Sequence, residues 1–464
     1  VTGTTAHQEK GSSVKRSALV VTSLSSFLTP LALATVNVAL PSIGREFAVD
    51  ALSLGWIATS YILTAAMFLI PFGKIADIWG RKKVFLWGTF VFSAASLLLG
   101  FSSSAGMLIG LRALQGIGGA MLFGTGIAIL SSVFPVGERG RVLGINVASV
   151  YLGLSCGPFV GGILTQHLGW RSIFFINVPV GLFIVVLCLK TLKEEWAEAR
   201  GQPFALLGSC IYSTMIFALM GGLVYLPGLA GISLCLAGVL AMVFFVFWER
   251  KTPDPILDMA LFSKNRVFTL SNIAALINYS ATFAVGFLLS FYLQHIRALT
   301  PQATGVLLIA QPIVQAVFSP LAGRLSDRVE PRIVASTGMG LTALGLFFLS
   351  FLRADTPFWF IVGSLALLGF GFALFSSPNT NAIMSSVVSR FYGVASSMLA
   401  TMRLLGQMLS MAIAMIIFTI YFGGAQIQPA LYPLLLAATK VAFTLFGLLC
   451  LAGIFASLTR GNLR

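Results

Sequence analysis

Hydrophobic residues run along this chain in blocks, each long enough for a membrane helix and each ended by a short polar or Gly/Pro-containing break. A helix needs roughly 20 apolar residues to cross the hydrocarbon core of a bilayer. On that criterion the pattern predicts fourteen spans. They begin near Ala18, Ser53, Val84, Met107, Arg141, Ser172, Phe204, Gly228, Val267, Ala303, Ile333, Phe358, Gly393 and Pro433, and the last ends near Leu458. The polar residues before the first block, 1–16, read as a disordered tail. No small-residue cleavage site precedes that block, so no removable signal peptide is expected.

Composition agrees with the pattern. Hydrophobic residues make up 57% of the chain and charged residues 9%, against about 25% charged in a soluble domain. The expected fold class is an all-α polytopic membrane protein with no sizeable soluble domain. The net charge of +15 would suit nucleic acid, but the basic residues sit beside span ends, where the positive-inside rule places them. No nucleic-acid partner is expected. Of the 29 Lys and Arg, five fall outside if the N-terminus is inside (Arg45, Arg171, Arg297, Arg353, Lys440), two lie within spans (Arg112, Arg403), and 22 are inside. Both termini are therefore expected in the cytoplasm. The five cysteines lie in apolar segments without metal-ligand spacing and read as packing residues. No phosphate-cradling GxxxxGK[ST] and no HExxH is present, so no enzyme, cofactor or metal site is expected.

One stretch recurs. GKIADIWGRKKVF runs from Gly73 to Phe85 after the second span, and a looser copy, GRLSDRVEPRI, starts at Gly323 after the tenth. Aligning them pairs spans one to six with spans nine to fourteen and leaves spans seven and eight as an inserted hairpin turning near Pro227 and Gly228. The expected organisation is a tail (1–17), a six-helix bundle (18–190), the hairpin (204–249), a second six-helix bundle (264–458) and a short tail (459–464). A carboxylate at Asp77 can accept from helix N-terminal amides and pair with Arg81. Gly73 removes a side chain where another helix must come close. Gly80, Gly323, Asp327 and Arg328 complete a candidate latch that holds the cytoplasmic side shut. The plainer reading is loop capping and topology charge.

On these residues the chain resembles the major facilitator superfamily, and more closely its fourteen-span drug:proton antiporter family. Gly73, Asp77, Gly80 and Arg81 match the superfamily's loop motif. RALQGIGGA, Arg112 to Ala120, is similar to the buried-arginine motif of span four, and GLSCGPFVGG, Gly153 to Gly162, to the exporter motif of span five. WRSIFFINVPVG (Trp170 to Gly181) and YLQ (Tyr292 to Gln294), followed by TP and Gly305, resemble stretches typical of the fourteen-span group. The resemblance implies the major facilitator fold, two parallel halves rocking about a midplane site. It also implies a secondary-active exporter of small amphipathic organic molecules, in contact with membrane lipid and exchanging protons, monomeric, in a bacterial or archaeal plasma membrane. One departure matters. The family's first span usually carries an acid, and in LALATVNVALP, Leu31 to Pro41, Ala32 stands in its place. All 14 acidic residues fall in tails, loops or span ends, so a facilitator or anion- or lipid-preferring carrier without proton antiport stays open. A non-transporting scaffold is the third reading, and the repeated motif argues against it.

Within the spans, an arginine costs about 2.5–3.5 kcal/mol on insertion scales and is functional by default. Arg112 is expected to face the central cavity near Gln115, or else to snorkel to the outer surface. Arg403, with Gln407 one turn on, is a weaker case. Asn37, Tyr61, Asn278 and Gln311 are candidate cavity residues, or interhelical glue. Gly153, Gly157 and Gly161 share one helix face, with Gly162 beside them and Pro158 allowing a kink. This face is expected to slide against the other bundle, or simply to pack as small residues do.

Overall fold

A computed structural model of the chain describes residues 2–48, 51–422 and 429–461. Inside hydrocarbon every backbone N–H and C=O must bond within its own segment, so apolar blocks of this length become helices. Among the described residues, fourteen helical segments are long and apolar enough to cross a membrane. Spans 1 to 6 are Val14–Leu40, Ser53–Trp79, Arg81–Gly100, Ala105–Val133, Val136–Leu168 and Ser172–Thr191. Spans 7 and 8 are Leu206–Tyr225 and Leu229–Lys251. Spans 9 to 14 are Arg266–Ile296, Gln302–Arg328, Pro331–Ser350, Phe358–Ser385, Ser389–Phe422 and Tyr432–Thr459.

The first helix differs from its expectation. It runs Thr2–Phe47, so the polar residues before Ala18 extend the helix. No proline interrupts them, and the bonding that span 1 completes in the membrane carries on beyond it. Two spans are broken where the pattern predicts none. Span 9 is helical over Arg266–Thr282, resumes at Val285–Phe291 and closes in a π turn, Tyr292–Ile296. At its break the Ala284 amide donates to Ser410 Oγ of span 13, 3.0 Å away. Span 10 is interrupted at Ile309, between Pro301–Leu308 and Ala310–Arg328. Span 5, in contrast, is one helix from Val136 to Leu168 that passes through Pro158.

Spans 1 to 6 pack into one bundle, through the pairs 1·5, 2·4, 3·4 and 3·6, and spans 9 to 14 into another, through 9·13, 10·12, 11·12 and 11·14. The bundles meet along two seams, span 2 on span 13 and span 5 on span 10. These seams are equivalent under the pairing of the halves. The hairpin of spans 7 and 8 covers one of them. The Tyr212 hydroxyl on span 7 donates to the Ala66 carbonyl of span 2 (3.1 Å) and shares a hydrogen bond with Thr401 of span 13 (3.0 Å). Span 8 turns most of its apolar surface outward, with Leu240, Val243 and Phe247 all exposed. Bilayer lipid is the natural partner of such a surface.

Candidate functional site

An even number of spans puts both chain ends on one face, called here the terminal face. There each seam is closed by one carboxylate. Asp77, at the end of span 2, accepts from the Gly393 amide (2.9 Å) and the Val394 amide (3.1 Å) in the first turns of span 13. Asp327, at the end of span 10, accepts from the Gly140 amide (2.8 Å) and the Arg141 amide (2.9 Å) in the second turn of span 5. At the start of span 13 the first N–H groups have no partner in their own helix and carry partial positive charge, so Asp77 satisfies both needs, while Asp327 meets amides one turn further into its helix.

Backbone approach makes these contacts possible. A Cβ on Gly73 would lie 2.6 Å from the Gly393 carbonyl oxygen, and one on Gly140 would strike the Gly323 carbonyl. The Ser396 hydroxyl adds a hydrogen bond to the Gly124 carbonyl of span 4. Arg81 completes the first seam. Its Nη2 pairs with Asp77 Oδ1 at 2.7 Å with both side chains buried. Nη1 donates to Ser132 Oγ at 2.6 Å, Nη2 also reaches the Ser389 carbonyl, and the guanidinium lies 5.2 Å from the Tyr392 ring centroid. Arg139 lies 5.0 Å from the same ring. Gly80 takes a left-handed φ of 121°, and beside it Glu195 accepts from the Lys82 amide at 2.9 Å. The segment after span 6 thus straps the turn, and the Ala199 amide donates to the Asp77 carbonyl at 3.0 Å.

Behind these closures, between the two bundles, lies a cavity in three adjoining lobes. They are lined from spans 1, 2, 4 and 5 of one bundle and 9, 10, 12 and 13 of the other. The widest lobe is about 280 Å³, with Gln311, Gln315, Phe283 and Phe372 on its wall. Tyr151 lines all three lobes, and Arg403 lines two. Phe372 meets Tyr151 at 5.7 Å and Tyr279 at 5.2 Å, both edge to face, so this aromatic cluster bridges the bundles. Arg403 stands 4.8 Å from the Phe123 ring centroid. None of the lining residues is Asp or Glu.

The structure distributes the candidate residues unevenly. Tyr61, Gln311 and Arg403 line the cavity, as do Tyr279, Gln315 and Gln407. Arg112 does not, contrary to expectation. It is enclosed within the first bundle, donating to the Ile57 carbonyl (3.2 Å) and to Gln115 Oε1 (2.6 Å), with its guanidinium 4.6 Å from the Tyr61 ring. Gln115 in turn donates to Ser96 Oγ at 2.7 Å. The planar guanidinium finds an aromatic face and two oxygens there, which offsets its desolvation better than open cavity wall. Its Nη2 has no hydrogen-bond partner. Asn37 is exposed, and Asn278 is buried with neither amide atom partnered.

The glycine face of span 5 is a second correction. Gly153, Gly157 and Gly161 pack on span 1 of the same bundle, against Phe27, Ala34 and Thr35, while Gly162 faces open space. The small residues of span 5 that meet the other bundle are Gly140 and Gly144; a Cβ on Gly144 would lie 2.9 Å from Pro320 Cα. Both corrections share a cause, since a repeat of small or polar residues fixes a helix face but not the helix it meets. Sequence reasoning also missed Tyr151, Phe123 and Phe372, which are aromatics among 39 Phe and 9 Tyr with nothing local to mark them. Trp170 and Arg171 fall at the far face, where both bind Glu46, at 2.6 Å and 2.7 Å.

Comparison with known proteins identifies the family. Residues 22–249 and 272–462 match the family described as Major Facilitator Superfamily. The chain belongs to the Major Facilitator Superfamily. Within it, the riboflavin transporter RibZ of Clostridioides difficile (strain 630) is 31% identical over 410 residues, 87% of this chain and 87% of that protein. The tetracenomycin C resistance and export protein of Streptomyces glaucescens is 32% identical over 390 residues, 82% of this chain and 71% of that protein. The multidrug resistance protein Stp of Mycobacterium tuberculosis (strain CDC 1551 / Oshkosh) is 31% identical over 85% of this chain and 74% of its own length. These relatives place the chain among the superfamily's drug-type transporters. Its fold is also that of the proton:xylose symporter XylE, with a TM-score of 0.69 at 14% identity over 96% of this chain and 95% of that one.

Proposed function

We propose that this superfamily transporter is a secondary-active exporter that moves amphipathic organic molecules out of the cytoplasm by alternating access, coupled to protons. The observation that carries the reading is the pairing of a cavity between the bundles with two carboxylate closures on one face. A cavity walled by both bundles changes its opening when the bundles rock, and contacts made only between a span end and a helix start are the ones such rocking breaks. The terminal face is then the cytoplasmic face, and Asp77 and Asp327 are its latches. The names of RibZ, Stp and the tetracenomycin C resistance and export protein favour organic cargo, and the last of them favours outward movement. Proton exchange would fall to span-end acids such as Asp77, since no acid lines the cavity.

That last observation favours a second reading, a facilitator or anion-preferring carrier with no proton exchange. One experiment separates the two. The protein is reconstituted in liposomes and uptake of cationic, neutral and anionic dyes is followed with and without an imposed proton gradient. Accumulation above equilibrium that needs the gradient supports the exporter. Equilibration that ignores the gradient supports the facilitator. Failure to move any dye overturns both.

A further inference from the structure

We propose that Arg403 sets the charge of the cargo, and that the cavity takes a flat aromatic molecule bearing a negative or strongly electron-rich group. The inference rests on the transport reading and narrows its substrate class. Arg403 is the one charged residue among those lining the three lobes, and it sits where two of them meet. It lies over the face of Phe123 at 4.8 Å, an arrangement that leaves the N–H edge of the guanidinium without a carboxylate partner among the described residues.

Ring faces and edges from both bundles surround it. Tyr61 and Phe123 come from spans 2 and 4, Tyr151 from span 5, and Tyr279 and Phe372 from spans 9 and 12. Aromatic walls favour a planar ring, through offset or edge contacts beyond simple area burial. A guanidinium serves that ligand twice, because it pairs with an oxyanion through parallel N–H donors and stacks on a π face. A cationic ring of equal size meets the reverse. No acid in the lining offsets its charge, Ala32 stands where an acid is usual, and Arg112 lies behind Tyr61 at 4.6 Å from that ring. Two positive groups in a low-dielectric site repel a third with little screening. Selectivity by an unpaired like charge is as effective as a new attraction.

The test uses two dyes with the same xanthene core and opposite charge, anionic fluorescein and cationic rhodamine 6G, on the full-length protein. Fluorescence polarisation in detergent reads binding, and proteoliposomes read movement. The wild type should bind fluorescein at least about tenfold tighter than rhodamine 6G, the size expected for one close uncompensated charge. R403Q should weaken fluorescein about tenfold and leave rhodamine 6G little changed, R403K should retain part of the preference, and R403E should reverse it. A merely structural role would instead move both dyes together in every variant. Equal binding of the two dyes by a well-folded wild type, binding of neither, or an R403Q preference like the wild type's overturns the proposal. Arg403-dependent binding of fluorescein without movement across the bilayer would sink the transport reading and leave the site standing. Movement of both dyes without charge preference would do the opposite.

Discussion

The two seams between the bundles use one device with different support. At each, a carboxylate ending one span accepts from two successive amides in the first two turns of a span of the other bundle, Asp77 on Gly393 and Val394, Asp327 on Gly140 and Arg141. At the first seam the acid is buried with Arg81, strapped by residues 195–199 and flanked by the hairpin through Tyr212. At the second, the acid is half-buried beside an open groove lined by Lys15, Arg16, Arg141, Arg324 and Arg328, with Glu138 bonded to Lys15 at 2.7 Å. Burial sharpens electrostatics and exposure blunts it. On the proposed rocking, the first seam is therefore the closure that costs more to part, and the second the one that costs less.

The largest effect should come from breaking the firm seam. Asp77→Ala leaves the Arg81 charge buried without its partner, a loss of about 3–5 kcal/mol. Thermal unfolding in detergent should show it, and Asp77→Asn should fall between this variant and wild type while impairing transport. A melting temperature for Asp77→Ala equal to wild type would mean that Arg81 is solvated. Next, Gly140→Leu should block closure of the second seam, because its side chain would meet Gly323, Ser326 and Asp327; overpacking of this kind costs about 1–3 kcal/mol. Gly157→Leu should instead destabilise the first bundle by pressing on Ala34 of span 1. Cysteine cross-linking across the seam and thermal unfolding separate the two, and the comparison fails if Gly157→Leu shifts cross-linking while Gly140→Leu does not.

Asp327→Ala should cost less, about 1 kcal/mol, and the difference should shrink in high salt. A loss as large as that of Asp77→Ala, or one insensitive to salt, would erase the contrast between the seams. The smallest effect concerns the strap. Burial pushes the Glu195 carboxyl above its usual range, while the Lys82 amide and Lys83 pull it down. An acid with a raised folded-state pKa costs stability at higher pH, and that cost vanishes as pH falls through its folded value. Wild type should therefore gain on Glu195→Gln as the pH is lowered from neutral through the carboxylate range. At this exposure the gain is under ~0.5 kcal/mol. A relative loss on acidification would contradict the raised Glu195 carboxyl.

What could be read from the chain follows from the range of each interaction. Span count and halves rest on block length and a repeated loop, both local, and apart from the first, which starts at Thr2, the helices begin within a few residues of the apolar blocks. The seams join residues far apart. Gly393 lies 316 positions from the carboxylate it meets, and no local pattern names that partner. The motif at Gly73 marked an acid suited to helix amides, while the identity of the helix came from packing. Arg112 and Arg403 looked alike as lone arginines in apolar runs. Their different places depend on Tyr61, Ile57 and Gln115 around the one and on the bundle interface around the other. The breaks in spans 9 and 10 were hidden because neither leaves a polar gap; at Ala284 the lost helix bond is replaced by Ser410 from another span.

The central claim is that the Asp77 seam parts and reforms while the bundles stay intact. Spin labels at Lys83 and Val388, both exposed and on opposite sides of that seam, allow pulsed EPR to read its width in a background with the five cysteines replaced. The wild type should give two distance populations, the shorter matching the closed contact. Asp77→Asn should move weight to the longer one without changing a control pair placed within one bundle. A single narrow distance, unaltered by Asp77→Asn, by pH or by added dye, would contradict the claim and leave Asp77 as a static cap.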